Sequence, residues 1–344
     1  MSLTPGGGGD RRAVQALQIT MKQRLITSIG LAVLASVSLV TPAMAVVNIA
    51  YVPVGNAGNA ADPATGYGAV GYAYQIARNE TTIGQYAEFL NAAARTDPYA
   101  LYNPSMASVS YIAGITRSGS PGSYTYAPVA GSENRPITYV SWFDAARFCN
   151  WMQNGQGNGS TETGAYTLGG AMSGIYSRNA GATVWIPSED EWYKAAYYDA
   201  TKGGTGGYWP YPTQSATLGG NTIGVANSAN YYDGDYAVYT GSGAGTWGIT
   251  EVGAYGANSD SFYGTNDQGG NVWEWNDAVI GSSRGLCGGS WSFGDIFLAS
   301  SFRFDVDPSY EDFYVGFRVA SVPEPSCVVL TILASGMLVT RRKR

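Results

Sequence analysis

The sequence predicts an α+β fold with little regular secondary structure, and three observations carry that expectation. Glycine is abundant at 47 of 344 residues, tyrosine (26) and tryptophan (9) are frequent, and charged residues make up only 13%. That mix suits short strands and many turns rather than long surface helices. Apolar and aromatic residues run through the whole middle of the chain, which argues against disorder. Only three segments join a helix-start signal to an apolar stripe. From about Gly203 onward the chain is rich in Gly, Asn, Tyr and Asp, the composition of irregular loops and small strands.

The three helices have local causes. Thr82 can cap a helix whose Tyr86, Phe89, Leu90 and Ala93 fall on one face. Ser141-Trp142-Phe143-Asp144 starts a second, with Ala145, Phe148, Cys149 and Met152 on its apolar side. Pro187-Ser188 opens a third, where Ser188 and Glu191 match a capping box. The acids at 189–191 are read as first-turn charges that complement the helix dipole, not as a catalytic cluster. No internal repeat and no composition break divides 46–321, so it is read as one domain, with 155–181 as a surface insertion.

Charge excludes one class of partner. The formal net charge is -6. Residues 46–322 hold 11 basic and 23 acidic residues, the basic excess being confined to the two ends. A core of that sign repels phosphate backbones, so nucleic acid is not expected as a partner. The chain has no histidine, which removes histidine triads, histidine general bases and histidine-ligated zinc or iron together. Of the three cysteines, Cys327 lies in the terminal apolar run. Cys149 and Cys287 are open to two readings, one disulfide in an oxidising compartment or two separate buried thiols.

The ends read as export signals. Met21-Lys22-Gln23-Arg24 is a short basic start, Leu25 to Val40 is apolar, and Ala43-x-Ala45 matches a signal-peptidase site. The expected division is therefore 1–20 as an extension upstream of the true start, 21–45 as a signal peptide cleaved after Ala45, 46–321 as the domain, and 322–344 as a sorting tail. In that tail Pro323-Glu324-Pro325 precedes a 14-residue apolar run and Arg341-Arg342-Lys343-Arg344. As a helix the run reaches only about 21 Å, short of a bilayer core of about 30 Å. It is expected to hold only transiently, with the basic cluster on the cytoplasmic side. The tail resembles the PEP-CTERM sorting signal, which implies cleavage by an exosortase-type membrane protease. The expected place is the cell envelope, outer surface or extracellular matrix, with exopolysaccharide or another surface protein as binding partner.

Six segments in order resemble the formylglycine-generating (sulfatase-modifying factor) family. They are Tyr74 to Thr82 with Tyr86-Ala87-Glu88-Phe89-Leu90; Arg135 to Trp142 with Cys149-Asn150-Trp151; Ile186 to Trp192; Asp267 to Trp275; Gly288-Gly289-Ser290-Trp291; and Gly316 to Ala320. The match spans about residues 72–320 and implies a variant C-type-lectin-like fold. The family's enzymes hold copper with two cysteines soon after the Gly-Gly-Ser element and oxidise a substrate cysteine, chemistry that needs soft thiolate ligands. Those positions here hold Phe293 and Leu298. Only Ser290 matches a family active-site residue. Copper, iron and zinc are therefore not expected, and no catalytic residue is assigned. Cys149 matches a family cysteine whose partner position is Val319, so the family disulfide is absent.

The resemblance also implies a structural calcium ion held by Asp267, Gly270, Val272 and Glu274, hard oxygen ligands of the kind calcium takes. A second family site would begin at Asn230 and Tyr231, with a later aspartate falling near Ala244; Asp233 or Asp235 is the substitute. Ser290, Trp291 and Phe293 are the candidates for a ligand groove. Trp273 and Trp275 are expected in the core, and Arg303 and Arg318 as ion-pair partners of the many acids. Two functions compete on this reading: a non-catalytic binding or matrix protein, and a divergent enzyme working through Ser290 or Cys287.

Overall fold

The computed structural model describes residues 46–109, 112, 114–237 and 248–323. The signal-peptide reading at 21–45, with Ala45, and the tail from Glu324 onward lie outside the described residues, as does the neighbourhood of Ala244. Val322 and Pro323 are described and exposed. Among the described residues no helix is long and apolar enough to cross a membrane.

All three expected helices form, each for the local reason the sequence gives. In Ile83–Ala93 the Thr82 hydroxyl accepts from Gln85 N, and the Gln85 side chain accepts from Thr82 N at 2.9 Å. Trp142–Gln153 is closed the same way by Ser141 and Asp144, and Glu189–Tyr197 by Ser188 and Glu191. Each box satisfies backbone donors that a helix start leaves without intrahelical partners. A one-turn helix at Ser105–Ser108 carries no side-chain cap, and no sequence signal marks it. Phe89 of the first helix packs on Phe148 and Trp151 of the second, and Phe148 on Phe317, with edge-on or tilted ring contacts of 5.3–5.4 Å; Tyr86 stacks on Phe148 and meets Phe317 edge-on, both at 6.4 Å.

The strands are short: β1 Tyr51–Val54, β2 Tyr74–Ala77, β3 Ile115–Ser118, β4 Thr125–Pro128, β5 Val184–Trp185, β6 Tyr198–Asp199, β7 Gly207–Tyr208, β8 Trp273–Ile280, β9 Ser283–Cys287, β10 Phe304–Val306, β11 Val315–Gly316 and β12 Ala320–Ser321. They form a sheet of order β1-β2-β12-β5, another of order β10-β9-β8-β11, and two hairpin ribbons, β3-β4 and β6-β7. The second sheet is antiparallel except where β11 runs parallel to β8. This is the α+β architecture of little regular structure that composition and resemblance both imply. The segment Phe317-Arg318-Val319 leaves β11 in one sheet and enters β12 in the other. Arg318 therefore stands at the crossing.

β8 decides what lies at that crossing. Trp273, Glu274, Trp275 and Asn276 are all buried, so both faces of the strand are covered. Trp273 packs against Phe293, Phe302 and Phe304 at 5.7–6.0 Å, and Trp275 Nε1 donates to Val140 O. Alternation then turns Glu274 and Asn276 to the opposite face, and a buried carboxylate there needs a counter-charge.

Candidate functional site

Arg318 supplies it. Both residues are fully buried. Arg318 Nε donates to Glu274 Oε2 at 2.5 Å, and Nη2 donates to Oε1 at 2.6 Å, a two-point pair of the strongest geometry. The remaining donors reach the carbonyls of Ala77, Arg78 and Asn266. All five guanidinium N–H groups are thus directed to acceptors. Trp192 Nε1 donates to Glu274 Oε2 at 2.8 Å.

Around this pair the six segments of the family resemblance interlock through hydrogen bonds. Thr81 N donates to Phe317 O, and Ile137 N to Thr81 O. Gly270 N donates to Gly288 O, and Trp291 N to Asn271 O. The spacing of those segments in the chain is therefore the record of one buried knot, to which Trp192 and Val140 contribute as well.

Two further acids lie beside it. Glu80 is buried, accepts from Asn271 Nδ2 through one oxygen, and has no hydrogen-bond partner for the other among the described residues. Burial first, and Asp267 second, push its carboxyl well above the usual carboxylate range. Asp267 accepts from Gly253 N at 2.5 Å, and burial pushes its carboxyl up to about 6.

The expected calcium ligands stand as follows. Glu274 already has its counter-charge, since Arg318 engages both carboxylate oxygens and Trp192 one of them. An ion at that carboxylate would sit against a guanidinium. Among the described residues no group of three or more acidic or cysteine side chains is arranged to hold a metal. In the set Asp267, Gly270, Val272 and Glu274, Arg318 competes with calcium for the Glu274 carboxylate. Gly270 and Val272 lie in the knot, with Gly270 bridged to Asn230. Asn230 is buried and donates to Gly248 O and Asn271 Oδ1, Tyr231 is buried, and the substitutes Asp233 and Asp235 are exposed.

The groove candidates need a correction. Ser290 and Trp291 are buried, at 0% and 3% exposure. Trp291 packs on Tyr236 and Phe313, and Ser290 Oγ faces Ser292 Oγ at 3.3 Å. Neither offers a surface to a groove. Their inward course follows from Gly288 and Gly289, both at positive φ (98° and 73°), where a side chain would be strained. A Cβ at 289 would also stand 2.7 Å from Leu298. Phe293 is half-buried, with rings of Trp273, Phe297 and Tyr314 at 5.1–5.7 Å. Leu298 is fully buried. The two positions that carry thiols in the family's enzymes are here part of the apolar packing.

Cys149 and Cys287 are both free and buried, which decides between the two readings in favour of separate thiols. Burial, and then Glu274, push the Cys287 thiol up to about 12; burial and Asp277 push Cys149 well above its ordinary value. Neither is a thiolate at neutral pH. Arg318 and Arg303 are ion-pair partners as expected, the second pairing with Glu189 and lying over the Tyr67 ring.

Comparison with known proteins gives a family. The model of the sulfatase-modifying factor enzyme 1-like domain matches residues 38–322. No curated protein sequence matches the chain significantly. Similar solved structures include variable protein 1 of Treponema denticola, at 20% identity over 82% of this chain and 98% of that one, with a TM-score of 0.46. CarF is 19% identical over 81% of this chain and 100% of its own, TM-score 0.44. PvdO from Pseudomonas aeruginosa is 18% identical over 75% and 83%, TM-score 0.42.

Proposed function

The chain belongs to the sulfatase-modifying factor enzyme 1-like domain family, and from that premise we propose a non-catalytic binding or matrix protein, exported and sorted to the cell surface. One observation carries the reading. Phe293 and Leu298 occupy the positions where the family's copper chemistry needs two thiolates, and both are packed against apolar neighbours. Neither side chain can ligate a soft metal or form a nucleophile. Export and sorting are supported by the basic–apolar–Ala43-x-Ala45 order and by the Pro323-Glu324-Pro325 tail with its basic end. The acidic surface of 46–322 favours cationic or hydroxyl-rich partners over polyanions.

The divergent-enzyme reading would use Ser290 or Cys287. Ser290 is buried, and among the described residues its side-chain partner is Ser292, not a base. Cys287 is buried and held as a thiol. No geometry favours this alternative.

Metal analysis tests the proposal. Protein purified from its native envelope and then challenged with copper(I) and iron(II) is expected to retain neither in stoichiometric amount. One equivalent of copper or iron surviving gel filtration would restore the enzyme reading.

A further inference from the structure

The loop after the helix Trp142–Gln153 carries both of the chain's Asn-Gly pairs, Asn154-Gly155 and Asn158-Gly159. In such a pair the glycine nitrogen has no Cβ beside it to shield it. It can therefore reach the carboxamide carbon of the preceding asparagine and close a five-membered ring. The fold treats the two pairs differently. Asn154 Nδ2 donates to Ser160 O at 2.7 Å and to Thr163 O at 2.8 Å, and Gly155 N donates to Met152 O. Both the carboxamide and the attacking nitrogen of that pair are engaged.

Asn158 and Gly159 are both exposed. Among the described residues neither the Asn158 side chain nor Gly159 N makes a hydrogen bond. The chain is anchored on either side of them. Trp151 Nε1 donates to Gly157 O at 3.0 Å, and Gln156 holds both backbone groups of Val47 at 2.8 Å. Beyond Gly159, Ser160 O accepts from Asn154. The glycine is required where it stands, since a Cβ at 159 would lie 3.2 Å from Asn154 Cβ. Close packing thus keeps at 159 the one residue type whose nitrogen is open to its neighbour.

We propose that Asn158-Gly159 is a self-modification site, where Asn158 converts to aspartate and isoaspartate without another protein. The Gly159 nitrogen bonds to Asn158 Cγ, and the carboxamide nitrogen leaves as ammonia, taking up the proton that the glycine nitrogen gave up. Water then opens the cyclic imide at one of its two carbonyls. Opening at Cγ gives aspartate; opening at the main-chain carbonyl leaves the chain running through the side chain, as isoaspartate. The sum is amide plus water to acid plus ammonia, with no oxidant or reductant. The attacking group is the deprotonated nitrogen, so the reaction quickens as pH rises. Each event adds one negative charge to a domain that is already acidic, and it does not depend on whether the protein is a catalyst.

The test is incubation of the purified protein at pH 6 and pH 8 in water enriched in heavy oxygen, followed by proteolysis and tandem mass spectrometry. Asn158 is expected to convert at least about tenfold faster than Asn154, the protection that two hydrogen bonds give. Conversion is expected to be faster at pH 8, with the new acid carrying one solvent oxygen and part of it accepting a methyl group from an isoaspartyl methyltransferase. In a synthetic peptide of residues 150–163 the two asparagines are expected to convert at similar rates, because nothing holds Asn154 there. Asn158→Gln adds a methylene that disfavours the ring, and is expected to abolish conversion at 158 with no change in the unfolding midpoint, the position being exposed. Equal rates at 154 and 158 in the folded protein would overturn the proposal. So would an Asn158 that stays an amide while the peptide converts.

Discussion

Replacing Arg318 with methionine is expected to destabilise the protein by about 3–5 kcal/mol, the cost of leaving a buried charge without its partner. Methionine matches much of the side chain's length but donates nothing. Among the described residues, Glu274 would keep the Trp192 indole, the carbonyls of Ala77 and Asn266 would lose the guanidinium donor, and the Arg78 carbonyl would keep Asn266 N. Those carbonyls lie in the strand β2 region and in the loop before β8, so the loss spreads across both sheets. Denaturant unfolding measures it directly as a fall in midpoint at constant slope. The double variant Arg318→Met/Glu274→Leu removes the orphaned charge and is expected to cost less than the two single changes added together, because the residues are directly coupled. A change below about 1 kcal/mol in the single variant would mean that the pair behaves like an exposed one.

Stability is expected to fall as pH rises from 5 to 8. Three acids outside the Arg318 knot carry this prediction, Asp144 buried and Asp277 and Glu311 half-buried. Burial raises Asp144 to about 6, with Ser141 and Arg147 opposing; it raises Asp277 to about 6, with Arg284 opposing; and it raises Glu311 to about 8, with Asp144 adding to the rise. In each case the folded-state value lies above the unfolded one, so the folded protein binds the proton more tightly. The stabilisation is complete below about pH 4 and is lost as pH passes through 6 for the aspartates and 8 for Glu311. Each tenfold gain in proton affinity on folding is about 1.4 kcal/mol, and Asp144 and Glu311 titrate together, so the three do not add in full. A fall of roughly 10 °C in the thermal midpoint between pH 5 and pH 8 is the expected size for a domain of this length. A midpoint that holds steady or rises over that interval would show that the acids are neutralised by groups other than protons.

The legibility of this chain divides along the range of the interactions. The three helices are readable because their causes are local: Thr82 with Gln85, Ser141 with Asp144, and Ser188 with Glu191 lie within one turn. The two-residue strands β5, β6, β7, β11 and β12 carry no periodicity of their own, and what pairs them lies far off in sequence, as Ala320 beside Ile76 shows. The site is legible as a set of segments but not as an arrangement. Glu274 reads as a metal ligand on the family resemblance. Its true counter-charge is 44 residues away, and Arg318 is readable from sequence only as the partner of some acid. The Gly-Gly-Ser-Trp order says nothing of direction, so it cannot separate a groove position for Ser290 and Trp291 from a buried one. The left-handed turns at Gly288 and Gly289 point them inward.

A binding module without thiolate chemistry at Phe293 and Leu298 makes no formylglycine, and one assay addresses that directly. The purified protein is incubated with a Cys-x-Pro-x-Arg peptide, copper and oxygen, and formylglycine is measured by mass spectrometry against a copper-only control. The expected result is no product above the control; formylglycine formed in excess of it, at a rate that scales with protein concentration, would contradict the non-catalytic role.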